Sequence, residues 1–157
     1  MANSHVRNNS LGFVSRLALG VVFVGVCAAQ TESIPADSPR WQLEGDAKVA
    51  DYLGRRSLCL QGGVATLRDS EIADGVIDLD MAGSGARGFY NLFFRTKPNG
   101  DGERVYLRPH KTGLDDAQQY TPTFRGASVW QIYNGPGFTG PVDIPASGLC
   151  HLPYDCG

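Results

Sequence analysis

Two groups of side chains in this sequence have the types and spacing for chemistry on a polar ligand. Asp78 and Asp80 stand two apart in the run Gly75-Val76-Ile77-Asp78-Leu79-Asp80-Met81. Period-two alternation puts both carboxylates on one face of a strand and Ile77, Leu79 and Met81 on the other. Positions i and i+2 are about 6.5 to 7 Å apart along a strand, inside the roughly 5 to 10 Å at which two carboxyls work across a glycosidic bond. A solvated strand face has the same pattern. The second group is Arg104, Tyr106, Arg108 and His110, alternate residues expected to share a face, followed by Asp115, Asp116, Gln118, Gln119 and Tyr120. A sugar offers a ring face for aromatic packing and hydroxyls for charged or amide groups, so this set suits carbohydrate. The plainer alternative is that Arg108 pairs with Asp115 or Asp116 to pin the loop while Tyr106 packs. His110 has no second group assigned to orient it as a base. Asp115 and Asp116 could lend oxygens to calcium, but a site needs about six to eight and no compact Asp/Asn loop supplies them. No Cys pair has zinc-site spacing; neither a metal nor a cofactor is expected.

The elements that must position these residues are short and extended. Apolar residues alternate or cluster in brief runs bounded by Gly, Asp, Asn and Pro, as half-buried strands require. Residues 41–43 open the domain. Residues 57–61 and 64–68 flank Gly62-Gly63 and predict a hairpin with a two-residue turn. Residues 88–96 hold Phe89, Tyr90, Leu92, Phe93 and Phe94, which suits a strand covered on both faces at the centre of a sheet. Residues 104–109 resume extended character, and Pro109, lacking an N–H, should end that strand. Residues 110–119 read as a long polar loop and 128–134 as a further strand, with Trp130 and Tyr133 on opposite faces and Trp130 in the core. The one weak helical candidate is 44–53. The pattern predicts an all-β protein, an antiparallel β-sandwich or jelly roll.

Composition agrees with one globular domain: 157 residues, 42% hydrophobic, 19% charged. A formal net charge of -2 supplies no basic field for phosphates, so nucleic acid is not an expected partner. Arg7 and Arg16 precede an apolar run at 17–26 that matches a signal-peptide core but falls short of the roughly 20 residues that span a bilayer. Cys27-Ala28-Ala29 then supplies small residues for cleavage near Ala29. We therefore expect a signal-peptide helix at 1–29, a linker at 30–40, a partial sandwich domain at 41–145 and an irregular tail at 146–157. The mature protein is expected outside the cytoplasm, secreted or periplasmic, with no membrane span. Bulky Val26 before Cys27 makes a lipoprotein the weaker alternative. Cys59 reads as a buried free thiol, and Cys150 and Cys156 as residues that could close a small loop, with pairing unassigned.

The order Gly75-Val76-Ile77-Asp78-Leu79-Asp80, Gly88-Phe89 with Phe94-Arg95, Tyr106-Leu107-Arg108-Pro109-His110-Lys111, Asp115-Asp116-Ala117-Gln118-Gln119-Tyr120-Thr121-Pro122 and Trp130-Gln131-Ile132-Tyr133 resembles the concanavalin A-like lectin/glucanase superfamily. Within it, the chain is similar to exported bacterial laminin-G-like and keto-disaccharide-hydrolase-like jelly rolls over residues 41–141. The resemblance implies a non-catalytic, lectin-like carbohydrate-binding module, with Arg95, Tyr106, Arg108, His110, Asp115, Asp116, Gln118, Gln119 and Tyr120 as candidate ligand-binding residues. The alternative it implies is a glycoside hydrolase using Asp78, Asp80 or His110. The glucanases of that group carry Glu at the outer positions and a third acid where this chain has Met81-Ala82-Gly83. Such domains also continue into further strands, so a truncated, inactive fragment is the third expectation, with exposed sheet edges that invite self-association.

Overall fold

The computed structural model describes residues 31–83, 87–145 and 149–155, the last without side chains. The expected signal peptide and any Cys150–Cys156 bridge fall outside the described residues. From Ile34 onward the described residues belong to one compact unit, Ile34–Gly157. Among the described residues its regular structure is β apart from one 3-10 turn.

The first four strands, β1 (Trp41–Glu44), β2 (Ala47–Tyr52), β3 (Arg55–Leu60) and β4 (Val64–Leu67), form one long antiparallel arm. β2 pairs with β3 from Ala47↔Leu60 to Tyr52↔Arg55, and β1 with β4 from Trp41↔Leu67 to Glu44↔Val64. The turn is Leu53-Gly54, both left-handed (φ 49° and 73°), the backbone that a two-residue hairpin prefers. The expected hairpin about Gly62-Gly63 is not formed: the runs on either side of it are successive parts of one side of the arm. Two residues, Gly45-Asp46, there oppose three, Gln61-Gly62-Gly63, which is a bulge. Gly63 is required by close approach, since a Cβ on it would lie 2.5 Å from the Ala47 nitrogen. The weak helical candidate at 44–53 is strand β2.

β5 (Val76–Ala82) pairs antiparallel with β11 (Leu149–Asp155) along its whole length, Val76↔Asp155 to Ala82↔Leu149. The tail expected to be irregular therefore contains a strand. Ladder hydrogen bonds come from the backbone, so β11 needs no alternating pattern to add to β5. The larger sheet runs β10 (Thr139–Gly140), β8 (Gln118–Phe124), β7 (Gly102–Leu107), β6 (Tyr90–Phe94), with β9 (Ala127–Ser128) also on β8. β7 ends before Pro109, and Pro109–Lys111 forms the 3-10 turn. Among the described residues β6 pairs only with β7, so it is not the centre of the sheet. Its apolar run serves two purposes: Tyr90, Leu92 and Phe94 turn inward, whereas Phe93 points out and is 49% exposed.

The two layers meet through those inward side chains. Phe94 and Val105 pack with Ile72, Ile77, Leu92 and Tyr120. Leu107 and Ile144 pack with Met81, Tyr90 and Val142. Ile77 and Met81 of β5 thus face the β6-β7-β8 sheet, while Asp78 and Asp80 are exposed on the other side. The result is an antiparallel β-sandwich whose second sheet turns an outer face away from the core. Residues 129–134, expected as a strand, instead turn in a loop closed by the Ile132 N–H on the Val129 carbonyl.

Candidate functional site

Strand register assembles the outer face of the larger sheet. Asn91 stands opposite Tyr106 and Phe93 opposite Arg104; on the other flank Tyr106 stands opposite Gln119 and Arg104 opposite Thr121. Tyr106 is 4% exposed, and its hydroxyl donates to Gln119 Oε1 at 2.5 Å. Gln119 Nε2 donates in turn to the carbonyls of Trp130 (2.8 Å) and Tyr133 (2.5 Å). One buried amide therefore joins the centre of the sheet to the loop after β9. Burial holds the Tyr106 phenol above its usual pKa, against the opposing pull of Arg108 and Arg104.

Two guanidinium groups lie over that ring, Arg104 at 4.8 Å and Arg108 at 5.4 Å from its centroid, within cation–π reach. Arg104 also lies 5.8 Å from the Phe93 ring and donates to Ser128 Oγ at 2.8 Å. Its burial lowers its pKa from the ordinary arginine value. The Phe89 ring stands edge-on to Tyr106 at 5.8 Å and to His110 at 6.1 Å. Arg108 pairs with Asp116 at 3.3 Å, and Lys111 closes on the same carboxylate oxygen. The Lys111 hydrogen bond, seconded by Arg108, holds the Asp116 carboxyl below its usual range. The loop between β7 and β8 is thus pinned by Arg108–Asp116 while Tyr106 packs, as the plainer sequence reading has it.

Of the residues expected to bind a ligand, the structure gathers Tyr106, Arg108, His110, Asp116 and Gln119 here, with His110 exposed. Asp115 is exposed on the adjoining loop. Arg95, Gln118 and Tyr120 are not brought to this face. Gln118 and Tyr120 alternate with Gln119, opposite Leu107 and Val105 on the core side. Arg95 hydrogen-bonds Glu103 at 3.0 Å, and the Tyr120 hydroxyl donates to the second Glu103 oxygen at 3.1 Å. Burial first, and then this donation to a carboxylate, pushes the Tyr120 phenol up to about 12. A shallow cleft of about 290 Å³ opens at the β8–β10 edge, lined by Gln118, Tyr120, Phe138 and Thr139 among others, with no charged side chain on its wall.

Alternation in residues 89–94 was the available signal for the surface that the sequence reading missed. It sends Phe89, Asn91 and Phe93 outward, with Phe89 57% exposed. Trp130, expected in the core, is 47% exposed beside its anchored carbonyl, because a turn, not a strand, carries it. Asp80 forms an ion pair with Arg55 at 2.5 Å. Asp78 and Asp80 point away from the layer that carries His110 on its far face, so the two acids and the histidine do not converge on one bond. Among the described residues no three His, Cys, Asp or Glu side chains gather as a metal site. Cys59 is a free, half-buried thiol in β3.

Fold and face together define an all-β antiparallel sandwich with a cationic, aromatic outer sheet surface. No family model, curated protein or solved structure matches the chain.

Proposed function

We propose that the protein is an exported, non-catalytic carbohydrate-binding module of the concanavalin A-like kind, with the outer face of β6-β7-β8 as its binding surface. The observation that carries this reading is the join of exposed rings to fixed polar groups. Phe89 and Phe93 present apolar faces to solvent, and Arg104, Asn91 and His110 stand beside them with donors and acceptors for hydroxyls. Tyr106 and Gln119 lie beneath as supports, which fixes the groups above them before a ligand arrives and lowers the cost of ordering them. The N-terminal charged and apolar run supports export, with cleavage near Ala29.

Affinity electrophoresis of the mature chain through gels containing single polysaccharides tests the proposal. The wild type is expected to be retarded by at least one of them. Phe93→Ala and Phe89→Ala, both at exposed positions, are each expected to lose about 1 kcal/mol of binding, close to fivefold in Kd, with unfolding midpoints near that of the wild type. A folded wild-type chain that no polysaccharide retards overturns the proposal.

A further inference from the structure

This inference rests on the carbohydrate-binding reading and names the class of sugar. Two cations, Arg104 and Arg108, lie over the Tyr106 ring, and Arg108 shares the Asp116 carboxylate with Lys111. Arg104 is different: among the described residues it pairs with no carboxylate, and its partner is the neutral Ser128 hydroxyl. Its Nε and that of Arg108 are buried without a hydrogen-bond partner. Engaging an anion with the Arg104 guanidinium therefore displaces no Nε hydrogen bond and no ion pair. The two guanidinium groups lie no more than roughly 10 Å apart, about one Debye length in 0.1 M salt, so their fields add over this face. The chain as a whole carries a net charge of -2, so the positive patch is local and does not reflect a generally basic surface.

We infer that this face takes an anionic saccharide, whose carboxylate or sulfate group sits on Arg104 while its ring lies against Phe93. Planar guanidinium matches either anion in two parallel hydrogen bonds, and the Phe93 ring, 5.8 Å from Arg104, places the apolar contact next to the charge.

The test compares matched polymers by affinity electrophoresis: polygalacturonate against its methyl ester, and a sulfated galactan against the same galactan desulfated. The expected result is at least tenfold tighter binding to one acidic polymer than to its neutral counterpart, weakening as salt rises from about 0.05 to 0.5 M. Which pair shows the preference distinguishes carboxylate from sulfate. Arg104→Gln is expected to abolish the preference, Arg104→Lys to keep a minor part of it, and Lys48→Gln, an exposed charge on β2, to leave it unchanged. Should Arg104→Gln fail to fold by its melting curve, the wild-type comparison with and without salt decides alone. Equal binding to acidic and neutral forms, or a preference that survives Arg104→Gln, overturns the inference while the carbohydrate reading stands. Absence of binding to every polymer overturns both.

Discussion

Replacing Gln119 with leucine tests whether a single amide holds the outer face together. The substitution keeps the side chain's approximate volume but removes the acceptor of the Tyr106 hydroxyl and the donors to the Trp130 and Tyr133 carbonyls. The Tyr106 hydroxyl is enclosed, with the residue 4% exposed, so stranding it costs about 1 to 3 kcal/mol. The two carbonyls belong to a surface loop and regain water after a small movement, so each forfeits nearer the net worth of a hydrogen bond, about 1 kcal/mol. Burying leucine in place of an amide returns about 1 kcal/mol. The expected destabilisation is about 3 kcal/mol, a fall of roughly 10 °C in Tm. Urea unfolding followed by tryptophan fluorescence measures it, and Trp130 sits in the loop that comes loose. A double-mutant cycle with Tyr106→Phe separates the pair from the rest: with both polar groups gone neither is stranded, so the double mutant is expected to be more stable than the summed single effects by at least about 1 kcal/mol. Gln119→Leu within about 0.5 kcal/mol of the wild type, or strict additivity in the cycle, refutes the idea that this amide is the fastener.

Three further outcomes follow from the geometry. Tyr120, pushed up to about 12, keeps its proton after an ordinary tyrosine has lost it near pH 10; its raised folded pKa makes a stabilising contribution that is full below pH 10 and is lost as pH climbs toward 12. Ultraviolet titration should show a late tyrosinate step that Tyr120→Phe removes, and a curve unchanged by that variant contradicts the assignment. Asp116 has the opposite sign: its carboxyl is held low by Lys111 and Arg108, so its help is present above the unfolded carboxylate pKa near about 4 and fades as pH falls toward the folded value. Amide exchange over residues 109–117 should therefore be faster in Asp116→Asn at neutral pH and converge with the wild type in acid. Finally, Gly63→Ala forces a Cβ to 2.5 Å from the Ala47 nitrogen and 2.7 Å from the Asp46 carbonyl carbon, and is expected to cost near the upper end of the about 1 to 3 kcal/mol typical of overpacking. Gly54→Ala meets nothing within 4 Å at φ 73° and should cost only the left-handed penalty of about 1 kcal/mol; thermal melts of the two variants that reverse this order contradict the bulge.

Much of the fold is legible along the chain where a local rule decides. The alternation of residues 76–81 yields β5 with Asp78 and Asp80 outward, and Pro109 ends β7 by removing a backbone donor. The candidate site is legible only in part. Charge and nearness in sequence offer Arg108 either Asp115 or Asp116, and only the folded loop selects Asp116; likewise nothing in the order Gln118-Gln119-Tyr120 says which of three polar residues reaches the outer face. That depends on the β7–β8 register, which puts Gln119 opposite Tyr106 and turns Gln118 and Tyr120 inward. A slip of one residue would exchange them.

What the order of residues by itself determined was class: brief extended runs, turn residues between them, and too little helical periodicity to compete, all of which act over a few neighbouring positions. Partner choice was decided only in three dimensions. Gly62-Gly63 has the composition of a hairpin turn, but Leu53-Gly54 makes the turn and leaves the two glycines as a bulge, because pairing energy summed along the whole arm outweighs the preference of one dipeptide. The same holds for residues 149–155, which lack strand patterning and still pair with β5, and for Tyr106 and Tyr120, whose places on opposite sides of one sheet follow from a register that long-range packing sets.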